Sequence, residues 1–490
     1  MCKKNVILSF ILFFITLLSA NAPDTLWTKI YGGNGNDYAM SIINIDSTGS
    51  LICGSTAPSN SNNSDVYLLR INKYGDTLWT KQIEDTLREF GKFIMEANDS
   101  GYLIAALAGN LSGLPKAHIW LIRINSFGDT LWTKNISKNY YDNITSIYRE
   151  NKDGYIILAN SSFPSPQGYD LWLIKIDNDG DTLWSKTYGG DGAEFAGAAI
   201  QTKDNGYLIT GSTFVNDTAE GDVWIIKTDS FGETLWSRIY GGKQKEGGRQ
   251  IQMLKDGGYI IGCRYYSPYE GNSDILLMKI DDDGDTLWNK VYGGTEDDWI
   301  MSMLATKDGG CIGVGYTKSN NDRDTNVWVI KINESGDTLW TKEIGGKKGD
   351  IGRSIQETSD GGYIICGTTK SFDGKQEDIY IIRLDKESTD IKKKNDGKSL
   401  RENGLNLSTN QMDKIINIHY SIITSGYVKI GVYNLNGKLV KTLTNKFMHK
   451  GSHAFNWNLK HNKKVLASGM YFIKLTTEDI SVSKKVKIIR

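Results

Sequence analysis

Between Thr182 and Glu233 short apolar runs alternate with polar breaks that contain glycine. Thr182-Leu-Trp-Ser-Lys-Thr-Tyr188 is the first run, and Gly189-Gly190 opens a loop behind it. Phe195 to Thr202 is the second, closed by Lys203-Asp-Asn-Gly206, and Tyr207 to Thr213 is the third. After a longer loop comes Asp222-Val-Trp-Ile-Ile-Lys-Thr-Asp229, and Ser230-Phe-Gly-Glu233 leads into another Thr-Leu-Trp. β-Branched and aromatic residues fill the runs, Gly, Asn and Asp fill the breaks, and no helical period occurs. The pattern predicts four strands.

The unit recurs. Thr-Leu-Trp places its Trp at Trp27, Trp79, Trp132, Trp184, Trp236, Trp288 and Trp340, at intervals of 52, 53, 52, 52, 52 and 52 residues. A fixed period of this size marks stacked units, and four strands per period is the grammar of a propeller blade. The last period ends at Asp378-Ile-Tyr-Ile-Ile-Arg-Leu-Asp385 with no eighth Trp, so its final strand needs the spare copy at Thr25–Trp27. Pairing there removes the open edge of the ring. The expectation is an all-β chain with a seven-bladed β-propeller over 23–385.

An apolar strand, then Asp-x-x-Gly, then Leu-Trp resembles the docking motif of the pyrroloquinoline-quinone enzyme propellers. The resemblance implies that Thr-Leu-Trp is the outermost strand, and that segments such as Met40–Asn44 and Ile300–Leu304 line the central channel. It implies no quinone, because no vicinal cysteine pair and no matching calcium-ligand set is present.

Antiparallel strands put alternate connections on opposite faces. One face receives the nearly invariant turns, such as Asp256-Gly-Gly258 and Asp281-Asp-Asp-Gly-Asp285. Asp281–Asp285 and Asp177–Asp181 have calcium-loop spacing. Asn72-Lys-Tyr-Gly-Asp76 keeps the same turn without those ligands, which favours plain hairpins and leaves calcium unproven. The aspartate box of sialidase propellers fails to match, because Leu separates Thr from Trp. The other face receives long loops that differ in every blade, and a variable face on a constant scaffold is where recognition belongs.

Ten residues after each Trp stands an acid: Asp37, Glu89, Asp142, Glu194, Glu246, Asp298 and Asp350. Ring symmetry makes them a circle near the channel mouth, either a cation site or pins that bond back to loop amides. A basic ring (Arg70, Arg123, Lys175, Lys227, Lys279, Lys331, Arg383) lies in the fourth strands and reads as scaffold. Aromatic residues break the symmetry. Tyr38, Phe195 and Trp299 follow their acids, and the long loops add Phe163, Tyr169, Tyr265, Tyr266 and Tyr269. Exposed aromatics suit sugar or peptide contacts.

Met1–Ala22 reads as a signal peptide. Lys3 and Lys4 precede an apolar run from Val6 to Leu18, and Ala20-Asn21-Ala22 suits cleavage after Ala22. No other stretch could span a membrane, so none is expected after signal removal. Cys53, Cys263, Cys311 and Cys366 lie in apolar strands and read as buried thiols.

The formal charge of zero conceals an asymmetry. Residues 386–490 hold 20 Lys/Arg and 7 Asp/Glu, a net +13; the totals of 57 and 57 leave 37 and 50 in 1–385, a net −13. The repeats therefore repel nucleic acid.

Residues 386–404 are charged and read as a linker, and 405–490 change grammar. Val428 to Leu443 forms a hairpin turning at Asn436-Gly437, followed by Gly451-Ser-His-Ala-Phe-Asn-Trp457, Ser468-Gly-Met-Tyr-Phe-Ile-Lys-Leu475 and Lys484-Lys-Val-Lys-Ile-Ile-Arg490. This order resembles the C-terminal sorting domain of type IX secretion cargo and the immunoglobulin-like domain of flagellar hook-cap proteins. It implies a small immunoglobulin-like β-sandwich, a bacterial secretion machinery as partner, and a secreted or outer-surface location. The usual Asn-Pro start is replaced by Asn406-Leu-Ser-Thr.

Together these features point to an exported monomeric binding protein whose variable face takes a glycan or protein, with no cofactor. The alternative is a secreted glycan hydrolase using two carboxylates of the ring. Four of the five histidines lie in the tail, which leaves the repeats without a histidine metal cluster or triad.

Overall fold

The structure is a computed structural model that describes residues 22–387 and 404–488 apart from parts of the connecting loops. The signal segment before Ala22, most of the linker and the Asn436-Gly437 turn lie outside the described residues. The chain divides into two compact units, Met1–Ser388 and Thr389–Arg490.

The first unit holds seven four-stranded antiparallel sheets. In the fourth, Glu194–Gln201, Tyr207–Thr213, Asp222–Thr228 and Thr234–Tyr240 pair in chain order. The last sheet is completed from the other end of the chain. Thr25–Tyr31 pairs with Asp378–Leu384, as the unpaired final strand requires. The Thr-Leu-Trp strand is the outer edge of every sheet. The middle strands are buried on both faces, as in Tyr102–Ala108, which is why they read as continuous apolar runs rather than alternating ones.

The core lies between sheets. Seven clusters of buried side chains fill the seven junctions, and the cluster of Ala39, Ile42, Ile52, Leu69 and Ile71 with Ile364, Cys366, Ile379 and Ile381 joins the first sheet to the last. The ring is closed. Cys53, Cys263, Cys311 and Cys366 are buried free thiols in these clusters.

A clasp repeats at the outer rim. The Asx turns before six of the outer strands are each held by their first side chain; Asp281 Oδ1, for example, accepts from the Asp283 and Asp285 amides at 3.1 and 2.8 Å. Asn72 holds its turn in the same way, so the aspartate-rich copies are hairpins like the rest. The turn glycine, with φ near +80° at Gly232, lies under the ring of Trp184 from the preceding blade. Lys186 of that blade pairs with Glu233 at 2.5 Å, and Tyr188 Oη donates to the Gly232 carbonyl at 2.7 Å. Equivalent ion pairs join Lys29 to Asp76, Lys81 to Asp129, Lys134 to Asp181, Arg238 to Asp285 and Lys290 to Asp337.

The basic ring secures the turns between the first two strands of each blade. Lys227, Lys279, Lys331 and Arg383 are buried and meet Asp204, Asp256, Asp308 and Asp360 at 2.5–2.7 Å.

In the second unit, Gly404–Asn410, Ile415–Ile422 and Gly451–Asn458 form a three-stranded sheet. Leu439–Met448, Gly426–Tyr433, Gly469–Thr476 and Ser481–Ile488 form a four-stranded one. Among its described residues Ile418, Val428, Ile430, Val432, Trp457, Ile473 and Leu475 are buried and apolar.

The clasp makes the turn glycine irreplaceable on two counts. Gly232→Ala forces a side chain into φ +77° and brings Cβ within 2.8 Å of Lys186 and 3.0 Å of the Trp184 ring. The expected outcome is a loss of about 1–3 kcal/mol, read as a lower urea midpoint in the full chain.

Candidate binding site in the central channel

Each inner strand begins at an acid of the predicted ring: Asn36–Ile45 (acid second), Glu89–Glu96, Asp142–Arg149, Glu194–Gln201, Glu246–Met253, Asp298–Ala305 and Asp350–Glu357. All seven carboxylates are buried. Asp37 accepts the Gly33 amide at 2.9 Å, Asp142 the Lys138 and Asn139 amides at 2.7 and 3.0 Å, and Glu194 the Gly190 amide at 3.4 Å. Asp298 and Asp350 each accept a glycine amide at 2.7 Å, from Gly294 and Gly346, and a serine hydroxyl at 2.7 Å. Glu89 and Glu246 occupy the same buried position. None of the seven lines the channel cavity. The sequence pointed to a circle at the mouth; the structure sets it beneath the loops, where it fastens them.

A second polar residue, from the preceding blade, explains the first glycine of the pair after the outer strand. A side chain on Gly293 would meet Asp274 at 2.1 Å and Asp298 at 2.8 Å, and one on Gly189 would meet Asp170 at 2.0 Å. Burial raises the Asp170 carboxyl above its usual range while Lys138 pulls it down. Glu194 is raised as well, by burial and then by Asp170, against the Gly190 amide.

The inner strands share one irregularity. Their pairing with the second strand skips one residue, three positions after each acid. The skipped residues are Met40, Lys92, Thr145, Gly197, Arg249, Met301 and Arg353. A bulge leaves its extra residue out of the ladder and re-aims the side chain. All seven line a single cavity of about 300 Å³ in the ring centre, together with Asn143, Asn160, Trp299 and Ile300 among others. Met40, Ile300 and Met301 thus stand where the scaffold resemblance placed the channel-lining segments.

Three of the seven are cations, and no carboxylate lines the cavity. Lys92 donates to Asn143 Oδ1 at 2.6 Å and to the Ile144 carbonyl at 2.9 Å. Burial, and then Arg353, lower its ammonium to about 8. Arg249 is exposed at the cavity surface, and desolvation by the residues around it, then Arg264, push its guanidinium down. Desolvation lowers Arg353, partly offset by Glu377.

The aromatics divide into two groups. Tyr38 packs on Phe90 at 5.6 Å, and Tyr169 and Phe195 lie 5.5 Å apart, with Phe195 also 5.7 Å from Phe214. These rings peg neighbouring blades and their loops. Tyr265 and Tyr266 belong to the strand Tyr259–Tyr266 rather than to the long loop, because the hairpin pairing continues to Tyr266 and Ser273. Phe163 and Tyr269 lie outside the described residues. The sector between blades 5 and 6 differs. Gly247 leaves a gap opposite Arg264, whose guanidinium lies 4.1 Å from the Tyr266 ring and 4.0 Å from the Trp299 ring. Trp299 stacks on Tyr316 at 6.0 Å and 14°, and its Nε1 donates to Ser273 Oγ at 2.7 Å.

Residues 410–489 match the family described as the secretion system C-terminal sorting domain. The chain is a β-propeller carrying a type IX sorting domain. It is a secreted or cell-surface bacterial protein, and the sorting domain implies contact with the secretion machinery. Among the described residues no helix is long and apolar enough to cross a membrane, and no group of three or more His, Cys, Asp or Glu could hold a metal ion.

Over 159 residues the chain is 26% identical to the regulatory protein FlaEY of Caulobacter vibrioides, covering 29% of this chain and 17% of that protein. The match therefore spans about a sixth of the relative's length. Similar solved structures include a Pyrococcus horikoshii acylaminoacyl peptidase (TM-score 0.41, 12% identity, 78% of this chain and 57% of that one). A Penicillium chrysogenum α-L-arabinanase also aligns (0.39, 10%, 74% and 98%), as does a fungal alcohol oxidase of the AA5 family (0.43, 11%, 96% and 100%). These likenesses concern the fold alone.

The paired carboxyls yield a pH test. A folded-state pKa raised above the unfolded value favours folding at low pH, and that contribution is lost as pH rises through the folded value. Asp170→Asn removes one of the two carboxyls while keeping the shape that Asn326 has at the same place in blade 6. Relative to wild type, the variant is expected to gain thermal stability between pH 3.5 and pH 7, followed by differential scanning calorimetry.

Proposed function

We propose that this is an exported binding protein whose propeller holds a glycan at the channel mouth, beside Trp299. One observation carries the reading: the Arg264 guanidinium lies against both the Tyr266 and Trp299 rings while Trp299 stacks on Tyr316, beside the gap in aromatics at Gly247. A scaffold needs the same residues in every blade, and recognition needs different ones. The Arg264 side chain and the hydrogen bond to Ser273 hold the indole in place without an occupant, which lowers the entropic cost of binding. Trp299 also lines the cavity, so a sugar ring seated there would meet an apolar edge and polar neighbours such as Asn143 and Asn160. In this reading Met1–Ala22 starts export and the sorting domain completes it.

Hydrolysis by a pair from the acidic ring has less support. Five of those carboxylates accept loop amides and none of the seven lines the cavity.

Calorimetric titration of the full chain against neutral and acidic oligosaccharides tests the proposal. Binding of a saccharide that weakens about tenfold in Trp299→Ala and recovers in part in Trp299→Phe is the expected result. Failure of every saccharide overturns it. Release of new reducing ends, abolished by Glu194→Gln, would replace it with the hydrolase.

A further inference from the structure

We infer that the bulge cations form an anion-binding site in the channel, where Lys92, Arg249 and Arg353 receive a carboxylate, sulfate or phosphate group of the ligand. The inference rests on the binding reading for the nature of the ligand and on separate residues for the site itself.

The topology brings these three together. They sit in blades 2, 5 and 7 at one register position, the residue that each inner strand pushes out of its ladder. The other four blades place Met, Thr, Gly and Met there. The column therefore carries three positive charges and no negative one, inside a region whose net charge is −13 (37 basic and 50 acidic residues in 1–385). Chance placement in so acidic a unit would mix the signs.

Four buried cations of the basic ring give the contrast. Lys227, Lys279, Lys331 and Arg383 each have a carboxylate at 2.5–2.7 Å. Lys92 has only an amide oxygen and a carbonyl. The Nε of Arg353 is buried and has no hydrogen-bond partner. Glu377 is the carboxylate that Arg353 feels, but it is tied to Lys370 at 3.0 Å. Cations gathered on the wall of one cavity without a counter-charge repel one another unless an anion completes the group. A planar guanidinium with a free Nε–H meets a carboxylate, sulfate or phosphate through paired hydrogen bonds. Trp299 lines the same cavity, so one ligand can present its anionic group to the bulge cations and a ring face to the rim.

The test uses the full chain and three probes at constant ionic strength: inorganic sulfate, an oligogalacturonate and its neutral oligogalactose counterpart. Saturable thermal stabilisation by sulfate beyond that of chloride is expected, with oligogalacturonate bound more tightly than oligogalactose. Arg249→Met and Arg353→Met copy the residue that blades 1 and 6 carry in this position. Each should weaken sulfate and oligogalacturonate about tenfold without lowering the melting temperature. Lys331→Met, a scaffold cation, should lower the melting temperature instead. Sulfate acting no differently from chloride, or binding equally to wild type and both arginine variants, overturns the inference. Equal binding of both oligosaccharides, lost in Trp299→Ala, would sink the anion site and leave the glycan reading standing. Arginine-dependent sulfate binding with neither sugar bound would uphold the site and overturn the glycan.

Discussion

The fold depends on one contact between consecutive blades, the indole of an outer strand resting on the turn glycine of the next. It fixes the angle between sheets because three interactions converge on one turn. At the fourth blade the Trp184 ring covers Gly232, Lys186 reaches Glu233, and Tyr188 donates to the Gly232 carbonyl. An exposed ion pair of this kind contributes about 0–1 kcal/mol alone. Repeated around the rim and joined to the apolar clusters at each junction, it sets the geometry rather than the bulk of the stability. Trp340 departs from the rule where the chain enters and leaves. Its ring is buried with Tyr380 and Leu384, near Ala22.

A rigid rim leaves the centre free to vary. The acids at the starts of the inner strands fasten the upper loops, and the basic ring fastens the lower turns, so both mouths of each blade are tied before the channel is reached. The bulge then releases one residue per strand from the ladder. Side chains of different chemistry can stand in this column without disturbing a ladder hydrogen bond, except at Gly197, where a Cβ would lie 2.4 Å from the Gly248 carbonyl. Specific chemistry is affordable there and almost nowhere else in the inner strands.

Much of this was legible in the chain. The 52-residue period, the absent eighth Trp and the clean strand patterns contain the closure of the ring, because pairing and burial follow directly from periodicity. The acidic circle was visible as a column, but whether a carboxylate faces a channel or a loop amide depends on tertiary geometry that no spacing encodes. The bulge cations were missed for a related reason. An extra residue reverses the in-and-out alternation of a strand, and alternation was the only guide to which side chains face inward. One signal was available. Three places after each acid the column reads Met, Lys, Thr, Gly, Arg, Met, Arg, a mixture that a repeated structural role does not produce.

Export and the four free thiols bear on each other. An oxidising exterior normally selects for disulfides or for no cysteine at all. Here each sulfur sits in the middle of a sheet, and burial raises every thiol, Cys311 to about 12 despite the nearby Lys331 cation. Oxidation and exchange require the thiolate, which such a site does not populate at neutral pH. The thiols therefore behave as small apolar side chains, and closure of the ring protects them. An opened ring would expose Cys366, which lies in the junction between the first and last blades, so the N-terminal strand guards the chemistry of the core as well as its shape.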